Sequence, residues 1–347
     1  MNCETLLRSS QSALRGRKVI LVMTQSAIDR SVFSRGAWLR IADTTCLLQS
    51  SHPEFATTLA PWIKKRQAGE QACDFTLRVQ VNDAWDALEP VHFRGSAHLV
   101  IAQYGSNVFL FDLHRKTVEA RISQLVSRNT QLWADRFLPL ILGVLGPSVG
   151  VLPLHSACVV KGGRGILIAG ASTAGKSTLS VALAKSGFAL LSDDWTYIRA
   201  RADSLLACGL QVPVKLLPDA VQHFPELRPL TPVRTGNGEI AFEVHADEMF
   251  HVPVAARCTP SAFVFLERVP EGWPEMVPAL GSFVQEYVNN SVERLPKELA
   301  TAIDTRDRLI DSLRDLPCWT YRYSGTPQAG ADYLARFFAR HHEVIEQ

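Results

Sequence analysis

Eight residues from Gly170 to Ser177 have the types and the spacing of a phosphate-binding loop. They read Gly-Ala-Ser-Thr-Ala-Gly-Lys-Ser, which fits G-x-x-x-x-G-K-[ST] at every fixed position. Gly170 and Gly175 allow backbone conformations that other residues avoid, so that successive N–H groups can point at an anion. Lys176 can reach the β- and γ-phosphates of a nucleotide, and the Ser177 hydroxyl suits Mg²⁺. The pattern predicts a site for ATP and Mg²⁺.

The predicted contacts extend over the whole loop and into the residue after it. The side chains inside the loop are small, and the start of the following helix offers unpaired N–H groups with a favourable dipole. The predicted nucleotide-binding residues are Gly170, Ser172, Thr173, Ala174, Gly175, Lys176, Ser177 and Thr178. A chance match on a glycine turn is the alternative, and the elements predicted on both sides of the loop argue against it.

A strand, a helix and a second strand are predicted around the loop. Gly165–Ala169 is an apolar run of strand length, Thr178–Lys185 has helical periodicity, and Phe188–Ser192 is a second apolar run. Asp193 and Asp194 follow directly. Ligand groups gather beyond the carboxyl ends of strands in α/β sheets, so this pair should face the loop. One carboxylate can bind Mg²⁺ while the other accepts a proton from an attacking hydroxyl; a solvated acidic turn is the alternative.

A histidine, the loop and the acidic pair follow one another in a characteristic order. His155-Ser156-Ala157 precedes the strand and the Gly-Lys-Ser-Thr loop, and Leu191-Ser192-Asp193-Asp194 comes after them. Between Leu152 and Ile198 this order resembles the catalytic domain of HPr kinase/phosphorylase. It resembles more closely the HPr-kinase-related kinases that are found near ribosomal-peptide gene clusters. The resemblance implies an α/β fold with a P-loop kinase domain of the HPr kinase C-terminal type.

The same resemblance implies a reaction and roles for particular residues. The γ-phosphate of ATP would pass to a hydroxyl, most simply the Ser or Thr of a peptide or small protein such as a ribosomal-peptide precursor. Asp193 would act as the base, with His155 and Lys176 also in catalytic roles. Ser177 and Asp194 would hold Mg²⁺. Which of the two aspartates is the base stays open.

Three departures from the HPr kinase pattern, which usually has the loop G-x-S-G-x-G-K-S-E, concern the acceptor. Thr173 stands in place of a loop glycine, Thr178 follows Ser177, and the E-x-R-G-x-G stretch of the HPr kinases does not occur after Asp194. These differences favour a related kinase with another acceptor, and they leave reverse phosphorylase activity open. A kinase of a small hydroxylated metabolite is one alternative. An ATP-binding regulatory or scaffold protein that transfers no phosphate is another, and slow hydrolysis without a phosphorylated product would support it.

Composition excludes several other classes of protein. The 347 residues are 47% hydrophobic and 20% charged, with a net charge of +2, so bulk electrostatics indicate neither a nucleic-acid partner nor a membrane surface. The seven cysteines are dispersed without a C-x-x-C pair, which is typical of a reducing cytosol. No signal peptide is recognisable, so a cytoplasmic location is expected. A homo-oligomer stays open.

The chain is predicted to contain two domains. Residues 1–128 form a smaller strand-rich α+β domain for packing or partner docking, and residues 129–347 form the kinase domain. A helix is predicted over His52–Lys65. Phe137–Leu154 is uncharged, but its prolines and glycines favour a buried helix near Thr130–Leu145, a turn and a strand over a membrane span. Strands of the first domain are predicted at Val19–Thr24, Trp38–Ile41, Thr45–Gln49, Phe75–Val81, His98–Gln103, Asn107–Asp112 and Thr117–Ile122.

Fewer features are predicted beyond the acidic pair. Lys215 lies in an apolar run. The preferred interpretation is that its side chain extends to solvent along a sheet edge, and the alternative is contact with a phosphate. Arg228–Glu239 is rich in proline and glycine and is interpreted as a loop. The remaining strands are predicted at Leu205–Leu210, Val212–Leu216, Ala262–Leu266 and Trp319–Tyr323, and the helices at Leu280–Val292, Pro296–Leu313 and Ala329–His342.

Overall fold

The structure is a computed structural model that describes residues 36–64, 73–83, 91–201, 204–235, 239–291, 297 and 300–341. These residues form mixed α/β structure and divide into two compact units. The first comprises Met1–Val149 with Arg294–Asp304, and the second comprises Gly150–Glu293 with Thr305–Gln347. The division reflects packing within the chain, and the boundary of folding domains after residue 128 stays a prediction. The predicted strand Val19–Thr24 lies outside the described residues.

The first unit is built on a seven-stranded sheet with the order β1-β2-β3-β7-β6-β5-β4. Alternating buried side chains on β2 and β3 show why these segments form half-buried strands. The predicted strands in this part are confirmed, including the antiparallel pair β1–β2, whereas β4 was not predicted. The strands are β1 Ala37–Ile41, β2 Thr44–Ser50, β3 Phe75–Val81, β4 His92–Ser96, β5 Leu99–Tyr104, β6 Asn107–Asp112 and β7 Thr117–Ile122.

The helix predicted over His52–Lys65 is wrong. The chain instead forms the short helix α1, Phe55–Thr58, and a separate 3₁₀ turn, Ala60–Trp62. Pro61 lies at the start of this second turn. Proline has no N–H and its ring collides with the preceding turn, so one continuous helix cannot pass through this position. Lys65 lies outside the described residues.

The helical segment predicted near Thr130–Leu145 is confirmed. It consists of α2 Gln124–Ser127, α3 Thr130–Leu132, a π-helical turn Trp133–Phe137, α4 Leu138–Leu145 and a 3₁₀ turn Gly146–Val149. Phe137 stacks on Phe109 of the sheet, with ring centroids 4.9 Å apart. Among the described residues, Thr130–Val149 is long and apolar enough to cross a membrane, and 67% of its most apolar window is buried. Burial of this kind is what the core helix of a soluble protein shows.

The second unit contains a nine-stranded mixed sheet. Its order is β11-β9-β10-β17-β13-β12-β8, and β19 pairs with the second half of β17 and with β18. β10, β17 and β19 run parallel, whereas β9 runs antiparallel to both β10 and β11. The strands are β8 Val151–Leu154, β9 Ala157–Lys161, β10 Arg164–Gly170, β11 Ala189–Ser192, β12 Thr196–Ala200, β13 Leu205–Cys208, β17 Arg257–Arg268, β18 Glu275–Pro278 and β19 Cys318–Tyr323.

Helices cover this sheet on both faces. One buried cluster joins Leu179 and Leu183 to Leu334 and Phe338 on the face that carries Ile166. On the opposite face, Leu167 and Phe263 belong to a second cluster with Val284 and Leu313. Apolar residues on both faces explain why β10 reads as a continuous hydrophobic run. The helices are α5 Lys176–Lys185, α6 Ala246–Phe250, α7 Gly281–Ser291, α8 Ala300–Arg314 and α9 Pro327–Arg340.

A small three-stranded sheet completes the described part of the second unit. It pairs β14 Val214–Leu216 with β16 Ile240–Val244, and β16 with β15 Val233–Arg234. The predicted loop Arg228–Glu239 therefore contains a two-residue strand. β12, β16 and β18 were not predicted, because their apolar patterns are short and interrupted by charges.

Candidate functional site

The loop after β10 has the backbone that its glycines were predicted to allow. Gly170 ends the strand with φ of +154°, and Gly175 precedes α5 with φ of +91°. A Cβ at Gly170 would lie 2.8 Å from the Leu266 carbonyl oxygen, so a larger residue would displace neighbouring backbone. The strand before the loop and the helix after it are both confirmed. The free N–H groups of the first turn of α5 therefore face the end of the sheet.

Thr173 has a left-handed backbone conformation, with φ of +66°. This is unusual for a β-branched residue. The Thr173 hydroxyl donates a hydrogen bond to the Ser172 carbonyl oxygen, which holds the turn. The loop thus keeps a glycine-like conformation without a glycine. Ser172 and Thr173 are exposed, and Ala174 is half-buried.

Lys176 is folded back over the loop. Its Nζ donates to the carbonyl oxygens of Gly170 and Ala171, at 3.0 and 3.1 Å. The residue is 8% exposed. Burial lowers the pKa of Lys176, and the charges of Asp194 and Asp193 oppose that shift. The acidic pair therefore lies near enough to the loop for both carboxyl charges to act on Lys176, as the sequence predicted.

The order of the strands places the acidic pair near the loop. β11 runs parallel to β10 with β9 between them, so β11 ends at the same edge at which β10 ends. Asp193 and Asp194 follow β11, and His155 precedes β9, whose first residue, Ala157, pairs with Ile168 near the end of β10. The alternative of a solvated acidic turn is wrong for Asp193, which is 5% exposed.

Asp193 is buried and is held by the backbone of the small sheet. Its Oδ2 accepts a hydrogen bond from the Lys215 N–H at 2.9 Å. Burial and then the neighbouring Asp194 raise the pKa of Asp193 to about 7, while the hydrogen bond and the charge of Lys215 oppose the rise. A carboxyl group with a pKa near neutral pH can both accept and release a proton under physiological conditions.

Asp194 has a different environment and stays ionised. His155 Nε2 lies 2.8 Å from its Oδ1, and the two side chains are 41% and 39% exposed. Burial raises the pKa of Asp194, but its hydrogen bond with His155 and the charges of His155, Lys215 and Lys176 together hold it below its ordinary value. Two adjacent carboxyl groups thus have pKa values that are shifted in opposite directions.

Three residues that hold this arrangement were not predicted as members of the site. The Trp195 ring stacks on the His155 ring, with centroids 5.4 Å apart. The Tyr287 hydroxyl donates to the His155 carbonyl oxygen. Lys215, for which extension to solvent was preferred, contributes its charge to both carboxyl groups. Its position in an apolar run could have indicated a member of the site, but extension of the side chain to solvent was the preferred interpretation of that run.

The donor set suits a hard cation that takes few protein ligands. No group of three or more His, Cys, Asp or Glu side chains that could hold a metal occurs among the described residues. Mg²⁺ does not need such a group, because it keeps several waters and binds through one or two protein oxygens and the phosphates. The ionised Asp194 carboxylate and the half-buried Ser177, in the first turn of α5, are oxygen donors of this kind.

In metal-free protein, the contribution of Asp193 to stability should fall as the pH rises from about 5 to 8. The folded state holds a proton on Asp193 up to a pKa of about 7, whereas an unfolded aspartate releases it near about 3.9. Between these values the folded state binds more protons, so its stability falls as the pH rises. Asp194 acts in the opposite sense. Its stabilising contribution is present above its unfolded pKa and is lost below that value, as the pH falls through the lowered folded pKa.

Asp193→Asn removes this ionisation, so the melting temperature of the variant should exceed that of the wild type increasingly from pH 5 to pH 8. Each unit of pKa shift corresponds to about 1.4 kcal/mol, so a difference of several degrees is expected at the upper end. Thermal unfolding of both proteins in EDTA measures it. A difference that stays constant with pH would contradict the burial of a titrating carboxyl group.

Comparisons with known proteins give little beyond this geometry. No protein-family model matches the chain, and no curated protein matches it. Among solved structures, it is similar to the HPr(Ser) kinase/phosphatase from Coxiella burnetii, with 13% sequence identity and a TM-score of 0.31. The match covers 55% of this chain and 96% of that chain. A likeness at this level carries no argument about activity, so the function is inferred from the site itself.

Proposed function

We propose that the chain is an ATP-dependent serine kinase with a P-loop kinase domain of the HPr kinase type. One observation carries the proposal. The loop that matches the nucleotide motif and a pair of carboxyl groups with opposite pKa shifts lie at one edge of one sheet, and both carboxyl charges act on Lys176. A triphosphate on the loop would present its γ-phosphate to an ionised carboxylate and to a potential base.

Asp193 is the base in this mechanism. As the hydroxyl oxygen of the acceptor forms its bond to the γ-phosphorus, its proton passes to Asp193 and the bond to the β-phosphate oxygen breaks, so that ADP leaves. A pKa of about 7 suits this role, because the base must be largely ionised before the transfer and must hold the proton after it.

Asp194 and Ser177 hold Mg²⁺ in this proposal. The metal would neutralise charge that develops on the β- and γ-phosphates. His155 is a positioning residue that fixes the Asp194 carboxylate through the 2.8 Å contact. Trp195 and Tyr287 fix the imidazole in turn, through ring stacking and through the His155 carbonyl oxygen. Lys176 contributes positive charge to the phosphates, and so does the nearby Lys215.

The acceptor that we propose is a Ser or Thr hydroxyl of a peptide or small protein. We further propose a cytoplasmic enzyme, with no nucleic-acid or membrane partner, that can form homo-oligomers.

The experiment that tests the function is transfer of labelled γ-phosphate from ATP to candidate peptides. Transfer to a small hydroxylated metabolite alone would support the metabolite kinase. ATP hydrolysis with no phosphorylated product would instead support the regulatory or scaffold protein.

ATP with Mg²⁺ should raise the melting temperature of the protein. A ligand that binds only the folded state stabilises it by about 2.7 kcal/mol at a concentration one hundred times its dissociation constant. This corresponds to several degrees for a protein of this size. Thermal scans with millimolar ATP and Mg²⁺, with ATP and EDTA, and with adenosine measure the effect. We expect the largest shift in the first condition, and no shift in any of them would count against a nucleotide site.

A further inference from the structure

Arg268 and Tyr323 form a pair at the ends of two parallel strands. They lie opposite each other in the register of β17 and β19. The Arg268 guanidinium donates to the Tyr323 hydroxyl at 3.4 Å and to the Gly325 carbonyl oxygen at 3.0 Å. Its central carbon lies 5.3 Å from the centre of the Tyr323 ring. The guanidinium therefore lies within cation–π distance of an aromatic ring that is itself completely buried.

This pair lies directly beside the second glycine of the loop. A Cβ added to Gly175 would be 3.2 Å from the Tyr323 hydroxyl and 3.9 Å from Nη1 of Arg268. The strand order β11-β9-β10-β17, with β19 next to β17, puts β10 and its loop in the middle. The acidic pair follows β11 on one side, and Arg268 ends β17 on the other. The loop thus has carboxyl groups on one flank and an arginine with an aromatic ring on the other.

The charge of Arg268 is available to a ligand. The residue is exposed, and no carboxylate within the described parts of the chain forms an ion pair with it. The adjacent Arg322 provides a contrast, because its Nε lies 2.8 Å from Oε2 of Glu267, its cross-strand partner. Glu267 and Arg322 point to the sheet face opposite that of Arg268 and Tyr323, since successive strand residues alternate.

The turns that follow these strands are joined to each other. The Ser324 hydroxyl donates to the Gly272 carbonyl oxygen at 2.7 Å, and the Val269 N–H donates to the Tyr323 carbonyl oxygen. Trp273, next to Gly272, is 92% exposed. This flank therefore offers ordered backbone, a planar cation and an exposed aromatic ring, which suit a flat apolar group better than an anion alone.

We propose that Arg268, supported by Tyr323, stacks on the base of the bound nucleotide. This inference rests on the proposed function. If the γ-phosphate faces Asp193 on one flank of the loop, the nucleoside must extend toward the other flank, where Arg268 lies. A guanidinium stacks on aromatic faces, and the Arg268 guanidinium lies over the Tyr323 ring while the residue stays exposed to a ligand. Stacking reads no base edge, so the site should accept adenine and guanine nucleotides with similar affinity.

Two ligands separate contact with the base from contact with phosphate. ATP carries a base, whereas inorganic tripolyphosphate carries the phosphates alone. In Arg268→Gln, the affinity for ATP should fall about tenfold, which equals about 1.4 kcal/mol and is a typical loss for a stacked base. The affinity for tripolyphosphate should stay unchanged. Arg268→Lys should lose ATP affinity in the same way, because it keeps the charge and removes the planar group. Isothermal titration calorimetry with Mg²⁺ present measures the affinity of the wild type and of both variants for each ligand.

Arg322→Gln is the matched control, since it removes a neighbouring arginine from the other sheet face and should change neither affinity. Equal losses for ATP and tripolyphosphate in Arg268→Gln, or rescue of ATP binding by lysine, would overturn the stacking role in favour of a phosphate contact. Unchanged ATP affinity in Arg268→Gln would overturn the inference alone. Wild-type protein that binds neither ligand would overturn the proposed function, and this inference with it.

Discussion

Asp193→Asn is expected to lower phosphate transfer by about 10²–10⁴-fold, the range attributed to general-base catalysis. Asparagine keeps the size of the side chain, and its oxygen can still accept the hydrogen bond from the Lys215 N–H. It cannot take the proton of the acceptor hydroxyl. The affinity for ATP should hold or improve slightly, because a negative charge near the γ-phosphate is removed. Steady-state transfer and ATP binding measured on the same preparation test both statements.

Asp194→Asn is the matched variant, because it changes the neighbouring carboxyl group in the same way. We expect it to weaken the dependence on Mg²⁺ and the affinity for the nucleotide complex, since it removes the ionised oxygen donor that His155 holds. A titration of transfer with Mg²⁺ distinguishes the two variants. If their phenotypes are exchanged, the site is correct and the roles are reversed. If both variants transfer phosphate as the wild type does, the kinase mechanism is wrong at this pair, and an ATP-binding regulatory protein becomes the preferred function.

Lys176→Ala should reduce nucleotide affinity about 10- to 100-fold, as expected for the loss of hydrogen bonds from a charged donor. Transfer should fall further, by about 10²–10³-fold at saturating ATP, because the charge on the leaving and transferring groups is no longer neutralised. Among the described residues, the ammonium group donates hydrogen bonds only to the carbonyl oxygens of Gly170 and Ala171, so its removal should leave the core intact. Fluorescence titration with ATP and single-turnover transfer measure the two effects.

Lys185→Ala provides the control at the other end of the same helix. Lys185 pairs with Glu226 and lies over the Phe224 ring, away from the loop. Its removal should leave ATP affinity and transfer unchanged. Equal losses in both lysine variants would mean that α5 as a whole has been disturbed, and undiminished binding in Lys176→Ala would contradict a phosphate role for the loop.

The centre of the site could be predicted from the sequence because its determinants are local. Glycines at fixed spacing set the loop, and apolar runs of strand and helix length on both sides place it at a sheet edge. Asp193 and Asp194 could be placed near it because they follow a strand. The different environments of the two carboxyl groups could not be predicted. The buried Asp193 carboxyl accepts a hydrogen bond from a backbone N–H of β14, which lies 22 residues further along the chain.

Other parts of the structure depend on distant contacts or on weak patterns. The hydrogen bond from Tyr287 to His155 joins residues that are 132 positions apart and that the sequence does not relate. Trp195 is next to the acidic pair, but its stacking on His155 has no signal in the sequence. The pairing of Arg268 with Tyr323 requires knowledge that β17 and β19 are neighbours. The division of the segment His52–Lys65 could in principle have been predicted from Pro61.

The antiparallel strand β9 has a consequence for engineering. It enters the sheet at the edge that holds His155 and leaves it at the opposite edge, where the exposed Gly162 and Gly163 turn the chain into β10. The five residues of β9 thus separate this turn from the site by about 15 Å, at about 3.3 Å per residue. Both glycines have positive φ and open space around them. A dye, an affinity tag or new chain termini placed between them would lie on the side of the second unit that is far from the loop and His155.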